Sequence, residues 1–160
     1  MKTLVMTVIF GVTNLVNSMA GNVDDKYAYN YVMDENDQVQ SELVYKADGK
    51  YLEHHLKYEY AYDEAGRVTK KEAYKWNEIK QAYERYYCLT YGYDADSVAL
   101  EYALWNETDG DYTDGKQRTV YSLSFDGVNY QAYEWDGGLN DWQLRAEHDV
   151  TADTGLLAVR

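Results

Sequence analysis

The sequence predicts an all-β protein, and three observations support that prediction. The 19 tyrosines dominate the apolar content, proline is absent, and only 11 of 160 residues are glycine. Aromatic and polar residues alternate in several runs, which is typical of strands that bury one face. Turn-forming residues separate these runs at regular intervals, as expected for successive β-hairpins.

The first twenty residues have the pattern of a cleavable signal peptide. Lys2 precedes an apolar run over residues 4–12, and Ser18 and Ala20 supply the small residues of a cleavage site. The run is shorter than the roughly 20 apolar residues that span a bilayer. We therefore expect cleavage after Ala20, a single domain over residues 21–160 that does not insert into the membrane, and a periplasmic or extracellular location.

The chain is strongly acidic. Its net charge is −13, and loss of the leader, which contains Lys2 and no acidic residue, would make it −14. Such a surface repels nucleic acid phosphates and anionic lipids, so we expect neither as a partner. Cys88 is the single cysteine, so no internal disulfide is expected, and its aromatic and apolar neighbours indicate a buried residue.

The strands show period-two alternation. In residues 56–62, Leu56 and three tyrosines face one way, whereas Lys57, Glu59 and Ala61 face the other. Residues 27–33 and 83–93 repeat the pattern. Each run therefore predicts a half-buried strand.

Two kinds of connector alternate along the chain. The first recurs every 29 to 32 residues, at Asp34, Asp63, Asp94 and Asp126. At Asp63 we predict a type I turn opened by the Asp side chain, with Gly66 in the left-handed conformation. We also predict a two-residue turn at Asp126 and Gly127, and a fifth hairpin turn at residues 153–155.

The second kind of connector begins near Lys46, Trp76, Trp105 and Trp135, and in three of the four cases the first residue is Trp followed by Asn or Asp. Short links between successive strands favour pairing of sequence neighbours. We therefore predict an antiparallel meander of about ten strands, which must hide its aromatic face by curving, closing into a barrel, or folding into two layers.

Residues 60–68 resemble the YD repeat of bacterial Rhs and teneurin-type proteins, in which Tyr and Asp are followed after two residues by Gly and Arg. Tyr93 and Asp94 keep only the first half of that motif. The leader, the Tyr-rich hairpins and the Trp-Asn or Trp-Asp links together are similar to the exported bacterial proteins grouped as domain of unknown function family 3836. The resemblance implies a curved, spiralling sheet and export, and it identifies no functional residue.

Five aromatic residues are candidates for a binding surface, because rings at strand ends and in connectors offer rigid contact area with a polar edge. They are Trp76, Trp105, Tyr112, Trp135 and Trp142. The alternative is that each Trp packs as a plug at the end of the sheet, where recurrence follows from packing alone.

Two clusters of side chains are candidate metal sites. Asp109, Asp111 and Asp114 make an oxygen-rich connector that suits calcium, although their spacing departs from an EF-hand loop and favours a solvated turn. His54 and His55 are adjacent in a strand and should point to opposite faces, so they are not expected to share a metal. We assign no other cofactor.

No catalytic motif is present, so the sequence favours an exported, noncatalytic protein that binds a glycan or another protein. Two alternatives stay open. One is a small hydrolase that uses a pair of carboxylates, which must lie roughly 5 to 9.5 Å apart for glycoside hydrolysis. The other is an envelope component that self-associates through its sheet edges.

Overall fold

The computed structural model describes residues 27–48, 50–125 and 127–151. The predicted signal peptide over residues 1–20, the turn residue Asp126 and the predicted fifth hairpin turn at residues 153–155 lie outside these ranges. Within the described ranges, no helix is long and apolar enough to cross a membrane.

Nine strands form one antiparallel sheet in which strand order equals sequence order. The predicted all-β meander is thereby confirmed. β1 and β9 are the two edges, so the sheet is open and the barrel alternative is wrong. The strands are β1 Tyr27–Met33, β2 Val39–Asp48, β3 Tyr51–Tyr62, β4 Val68–Asn77, β5 Ala82–Tyr93, β6 Ser97–Asn106, β7 Asp111–Leu123, β8 Gly127–Asp136 and β9 Asp141–Thr151.

The sheet has one face that holds most of the buried apolar side chains, here called the core face. Cross-strand neighbours on it include Tyr58, Ala73 and Tyr87, which oppose one another across β3, β4 and β5. Its buried apolar residues form two clusters, Val44, Tyr58 and Ala73 in one and Leu89, Tyr91 and Leu100 in the other, with further tyrosines packed around both. Within the described chain no second layer covers this face, so long aromatic side chains shield it.

The opposite face, here called the ladder face, is polar and aromatic. Lys57 pairs with Glu59 at 2.6 Å and Arg118 pairs with Glu101 at 2.6 Å. Cys88, predicted to be buried, is 4% exposed and lies in the interior of β5 as expected. Burial raises the pKa of its thiol, which keeps it protonated and unreactive.

A β-bulge recurs in each hairpin that contains a connector of the second kind. The pairing shifts after Val44, Ala73, Tyr102 and Ala132, in the β2–β3, β4–β5, β6–β7 and β8–β9 hairpins respectively. A bulge inserts an extra residue into one strand, increases the local twist and redirects the side chains beyond it. All four hairpins therefore have extra twist near their connectors, and the β6–β7 hairpin has a second shift, between Leu104 and Trp105.

The turns at Asp34 and Asp63 are alike. Asp63 Oδ1 accepts hydrogen bonds from the N–H groups of Ala65 and Arg67, both at 2.9 Å, and Gly66 has φ of 75°. The predicted turn at Asp63 is confirmed in both its Asp-opened form and its left-handed glycine. Asp34 makes the equivalent bonds, with Asp37 at φ of 58°.

Two tyrosine hydroxyls link neighbouring hairpins at the end of the sheet where the Asp34 and Asp63 turns lie. The Tyr62 hydroxyl donates to the carbonyl of Val39 at 2.8 Å, and the Tyr93 hydroxyl donates to the carbonyl of Val68 at 2.6 Å. Each tyrosine precedes a turn aspartate and bonds the first residue of a neighbouring strand. These bonds satisfy the hydroxyl of a core-face tyrosine while its ring stays packed.

Lys71 is the one charged residue that is buried among the described residues, at 2% exposure. Its amine lies 3.9 Å from the ring centre of Tyr58 and 5.3 Å from that of Tyr60. The Tyr60 hydroxyl donates to Glu42 at 2.8 Å. Burial lowers the pKa of Lys71, and the nearby Glu42 carboxylate opposes that shift. The lysine is therefore held mainly by aromatic faces.

We predict that the protein unfolds in alkali because its core is built from tyrosine. Burial raises the pKa of Tyr58, Tyr60 and Tyr87, and it raises the pKa of Tyr93 to about 12. Above pH ~10 the unfolded chain loses phenolic protons that the folded chain keeps, so stability falls by about 1.4 kcal/mol per pH unit for each buried tyrosine. Denaturant unfolding measured from about pH 8 to pH 11 checks this slope.

Tyr87→Phe should make the alkaline loss of stability shallower, since one buried phenol no longer titrates. Tyr51→Phe is the matched control, because Tyr51 is 77% exposed. An unchanged slope for Tyr87→Phe would contradict the explanation.

We predict that Lys71→Met stabilises the protein at neutral pH by about 1–2 kcal/mol, because replacing a buried charge with an apolar side chain of similar length removes its desolvation cost. The advantage should shrink as the pH rises toward the ordinary lysine pKa of ~10.4, because the wild-type lysine sheds its proton more easily when folded. Lys70→Met, on the ladder face, is the control and should change stability by less than about 0.5 kcal/mol. Equal effects of the two variants in denaturant unfolding would refute the prediction.

Candidate functional site

The candidate tryptophans form the same cross-strand pair three times on the ladder face. Trp76 meets Tyr83, Trp105 meets Tyr112, and Trp135 meets Trp142, with ring centres 5.0, 5.1 and 5.3 Å apart and interplanar angles of 68°, 70° and 71°. Edge-to-face contact is a favoured geometry of aromatic pairs. Each pair closes a hairpin next to its connector, and all five predicted aromatic candidates belong to these pairs.

The connectors position the tryptophans through a repeated turn. The residue after each Trp, which is Asn77, Asn106 or Asp136, accepts two backbone N–H bonds through its Oδ1, from the second and third residues that follow it. The fourth residue after it is left-handed in all three cases. Short polar side chains that bond their own backbone in this way are typical of turns. The Trp-Asn or Trp-Asp motif is therefore a local structural unit.

A fourth pair extends the series onto β2 and β3. Tyr45 contacts His54 at 5.1 Å between ring centres, and His54 stacks on Trp76 at 4.5 Å. His54 Nδ1 also shares a 2.9 Å hydrogen bond with the hydroxyl of Tyr83. We call the four pairs the aromatic ladder, comprising Tyr45, His54, Trp76, Tyr83, Trp105, Tyr112, Trp135 and Trp142. Successive pairs lie about 10 Å apart, because neighbouring strands are separated by about 4.8 Å.

Cations lie between the pairs. The guanidinium of Arg85 lies 4.7 Å from the ring centre of Trp105, and that of Arg118 lies 4.3 Å from Trp142. The amine of Lys116 lies 5.8 Å from Trp135. These contacts cover one surface of each ring with a positive group. All four tryptophans are half-buried, so they act partly as packing groups and also present ring surface to solvent.

A groove of about 230 Å³ opens on the ladder face between strands β4 and β9. Cys88 and Ala103 are among its lining residues, with Tyr112, Lys116 and Trp142. The Tyr112 hydroxyl is buried and makes no hydrogen bond with any described residue. Burial, and next the Glu72 carboxylate, raise the pKa of Tyr112. A ligand in this groove would meet two rings of the ladder, Tyr112 and Trp142, together with charges of both signs.

A second groove, of about 290 Å³, lies beside the β4–β5 pair. Its lining includes Trp76, Lys75, Glu84 and Arg85. Glu84 is already bonded, since it accepts from the Asn77 side-chain amide at 2.8 Å and pairs with Lys80. Both grooves thus place at least one ring of the aromatic ladder next to charged side chains.

The predicted calcium residues are occupied by local bonds. Asp109 accepts from the Thr113 hydroxyl at 2.8 Å, Asp114 accepts from the Asn106 side-chain amide at 2.9 Å, and Asp111 accepts from the N–H of Tyr112 at 2.7 Å. In the part of the chain that the structure describes, no three His, Cys, Asp or Glu side chains are grouped closely enough to hold a metal ion. The calcium hypothesis gains no support from this loop.

His54 and His55 lie in different surroundings, because the β2–β3 pairing shifts at His55. His54 belongs to the aromatic ladder, whereas His55 contacts Tyr27 with ring centres 5.5 Å apart. Burial lowers the pKa of His55, and the positive charges of Lys46 and Lys75 lower it further. The two imidazoles therefore contact different aromatic neighbours, Trp76 for His54 and Tyr27 for His55.

Sequence reasoning missed Tyr83, Tyr45, His54 and the intervening arginines as members of the site. Tyr83 could have been found, because an aromatic residue follows each Trp by seven positions, at Tyr83, Tyr112 and Trp142. His54 could not, because the bulge beside Val44 turns it onto the ladder face.

Comparison with known proteins gives a family and a fold. The sequence profile of a family of unknown function, DUF3836, matches residues 1–123. No curated protein matches the chain. A crystal structure of a DUF3836 family protein from Bacteroides vulgatus is 35% identical, covers 55% of this chain and 89% of its own, and has a TM-score of 0.53.

Two further crystal structures share the fold. A protein of unknown function from Bacteroides fragilis is 20% identical with a TM-score of 0.69, covering 78% of this chain and 91% of its own. A DUF3836 family protein from Parabacteroides distasonis is 24% identical with a TM-score of 0.55, covering 60% and 89% respectively. At these identities the likeness concerns the fold alone.

We predict that Gln81→Gly stabilises the protein by about 0.5–1 kcal/mol. Gln81, Gly110 and Asn140 occupy the same left-handed position of the three connectors, and only the first of them is neither Gly nor Asn. The reciprocal variant Gly110→Gln should destabilise by about 1–2 kcal/mol. The space beside Gly110 is open, so the destabilisation by Gly110→Gln would come from backbone strain alone and not from a steric clash. Thermal unfolding of both variants checks this, and a loss of stability in Gln81→Gly would contradict it.

Proposed function

The chain belongs to DUF3836, a family of unknown function, and we propose that it is an exported, noncatalytic binding protein whose aromatic ladder receives an extended glycan. Export rests on the leader-like first twenty residues, with the periplasm or the cell exterior as destination. The YD-like hairpin at Asp63 enters this proposal only as a local likeness.

The regular spacing of the aromatic ladder supports this function best. Each hairpin contributes two strands and one aromatic pair, so successive pairs lie about 10 Å apart. The disaccharide units of an extended β-linked glycan repeat at a comparable length. Half-buried rings such as Trp76 and Trp105 are rigid, so they present ring surface at little entropic cost. Several sugar units could then contact successive pairs at once.

Polar groups next to the rings suit hydroxyl-rich ligands. Glu101, Lys70 and Lys116 line the groove at Tyr112, and Glu84 and Arg85 line the groove at Trp76. Donors and acceptors of both signs can bond neutral sugar hydroxyls, whereas the overall net charge of −13 opposes polyanions. A protein ligand is the other member of the proposed class, and the experiment below separates the two.

The hydrolase alternative has weaker support from the geometry. Glu101 and Asp111 are the two acids that line the groove at Tyr112. Glu101 is paired with Arg118 at 2.6 Å, and Asp111 accepts a backbone bond at 2.7 Å. Both carboxylates thus already accept bonds from protein groups, as structural acids commonly do.

We predict that Trp76→Ala weakens glycan binding by about tenfold or more, as truncation of a central aromatic contact does. Trp76 lines the groove beside β4 and β5, and its half-buried ring is stacked on His54, which holds it in place. The test is a screen of soluble polysaccharides by tryptophan fluorescence, followed by calorimetry on any ligand found. Tyr51→Ala is the control, because Tyr51 is highly exposed and lies outside the ladder.

Binding of a polysaccharide that survives Trp76→Ala would place the site elsewhere and refute the ladder assignment. Silence of the whole glycan panel would remove the glycan ligand and leave a protein ligand as the binding hypothesis.

A further inference from the structure

The two edges of the sheet differ in charge. β1 has the sequence YAYNYVM and is the one strand of the nine described that contains no charged residue. β9, at the opposite edge, contains Asp141, Arg145, Glu147 and Asp149. Natural sheets protect their edge strands with charge, because unpaired backbone groups otherwise accept another strand. β9 is protected in this way and β1 is not.

The side chains of β1 are also exposed. Tyr27, Tyr29 and Tyr31 are 36%, 46% and 53% exposed, and Val32 and Met33 are 43% and 48% exposed. Tyr29 opposes the buried Val44 of β2, so this tyrosine stripe continues the core face to the very edge of the sheet. In the interior of the sheet, tyrosines on this face are covered by neighbouring strands on both sides. The tyrosines of β1 are only half-covered, because no described strand lies beyond them.

We propose that β1 docks onto β1 of a second copy, in antiparallel orientation about a two-fold axis at Asn30. This inference is independent of the proposed function, because it concerns the edge and not the ladder. With the axis at Asn30, Tyr29 of each copy faces Tyr31 of the other, and Tyr27 faces Met33. Aromatic and apolar side chains then meet directly across the new strand pair, which is the arrangement that stabilises antiparallel strands.

A second copy fits this edge better than a strand from the same chain. Residues 21–26 separate the predicted cleavage site from β1, and six residues are too few to turn and pair along a seven-residue strand. The two-fold arrangement is self-complementary. It joins the uncharged edges and keeps the charged β9 edges far apart, which suits a chain of net charge −13.

The interface is one strand wide, so we expect a dimer that forms with rising concentration. Full-length chain, expressed with its leader and purified after export, should shift from monomer to dimer in size-exclusion chromatography with light scattering. Val32→Lys adds an exposed charge to the β1 edge and should keep the protein monomeric. Leu144→Lys is the matched control, at 49% exposure on β9, and should dimerise like the wild type.

Asn30→Cys tests the position of the axis. Opposed residues of an antiparallel pair have Cα atoms about 4.5–5.5 Å apart, within the range of a disulfide. The variant should form a covalent dimer that reductant separates, whereas wild-type Cys88, at 4% exposure, should not crosslink.

Monomeric wild type at every concentration together with an uncrosslinked Asn30→Cys would overturn the proposal. Equal dimerisation of Val32→Lys and Leu144→Lys would also overturn it, because the contact would then lie on another surface.

Discussion

The whole structure depends on how a single antiparallel sheet keeps water from its apolar face. Leu89 is 2% exposed and Ala73 is fully buried, although no second layer packs on them within the described chain. Rings of neighbouring tyrosines provide the cover, since Tyr87 packs against both core clusters. Tyrosine is suited to this task because its ring buries apolar area while its hydroxyl reaches water or a polar partner. The abundance of tyrosine is therefore the consequence of a one-layer fold.

The hairpin is the unit in which this solution repeats. Each hairpin that ends in a Trp connector has a bulge, a cross-strand aromatic pair and a turn closed by Asn or Asp, as at Trp105, Tyr112 and Asn106. The bulge supplies twist, the pair fixes the register beyond it, and the turn residue satisfies backbone donors. Each hairpin pairs only with its sequence neighbours, in the order β1 to β9. β1 and β9 are therefore left as the two edges.

Repetition also creates the candidate site. Packing alone requires one aromatic pair per hairpin, but stacking the hairpins sets those pairs in a row at a regular interval, with Arg85 and Arg118 between them. The surface to which we assign the proposed glycan binding thus arises from a structural repeat. The four tryptophans are half-buried, which fits a packing role and leaves part of each ring exposed for the proposed binding. The edge strand β1 is a separate surface with a different composition, since it lacks charge entirely.

The sequence by itself determined what is local. Period-two alternation identified the strands over residues 27–33, 56–62 and 83–93, and the Asp63 turn with its left-handed Gly66 was readable from side-chain chemistry. Short connectors dictated the meander. The tertiary structure alone decided what depends on register: the bulges that turn His54 onto the ladder face, the placement of Arg85 against Trp105, the buried Lys71, and the failure of the sheet to close. Turn and strand preferences involve residues a few positions apart, whereas a one-residue shift between strands reverses every side chain beyond it, and only the paired sheet fixes that shift.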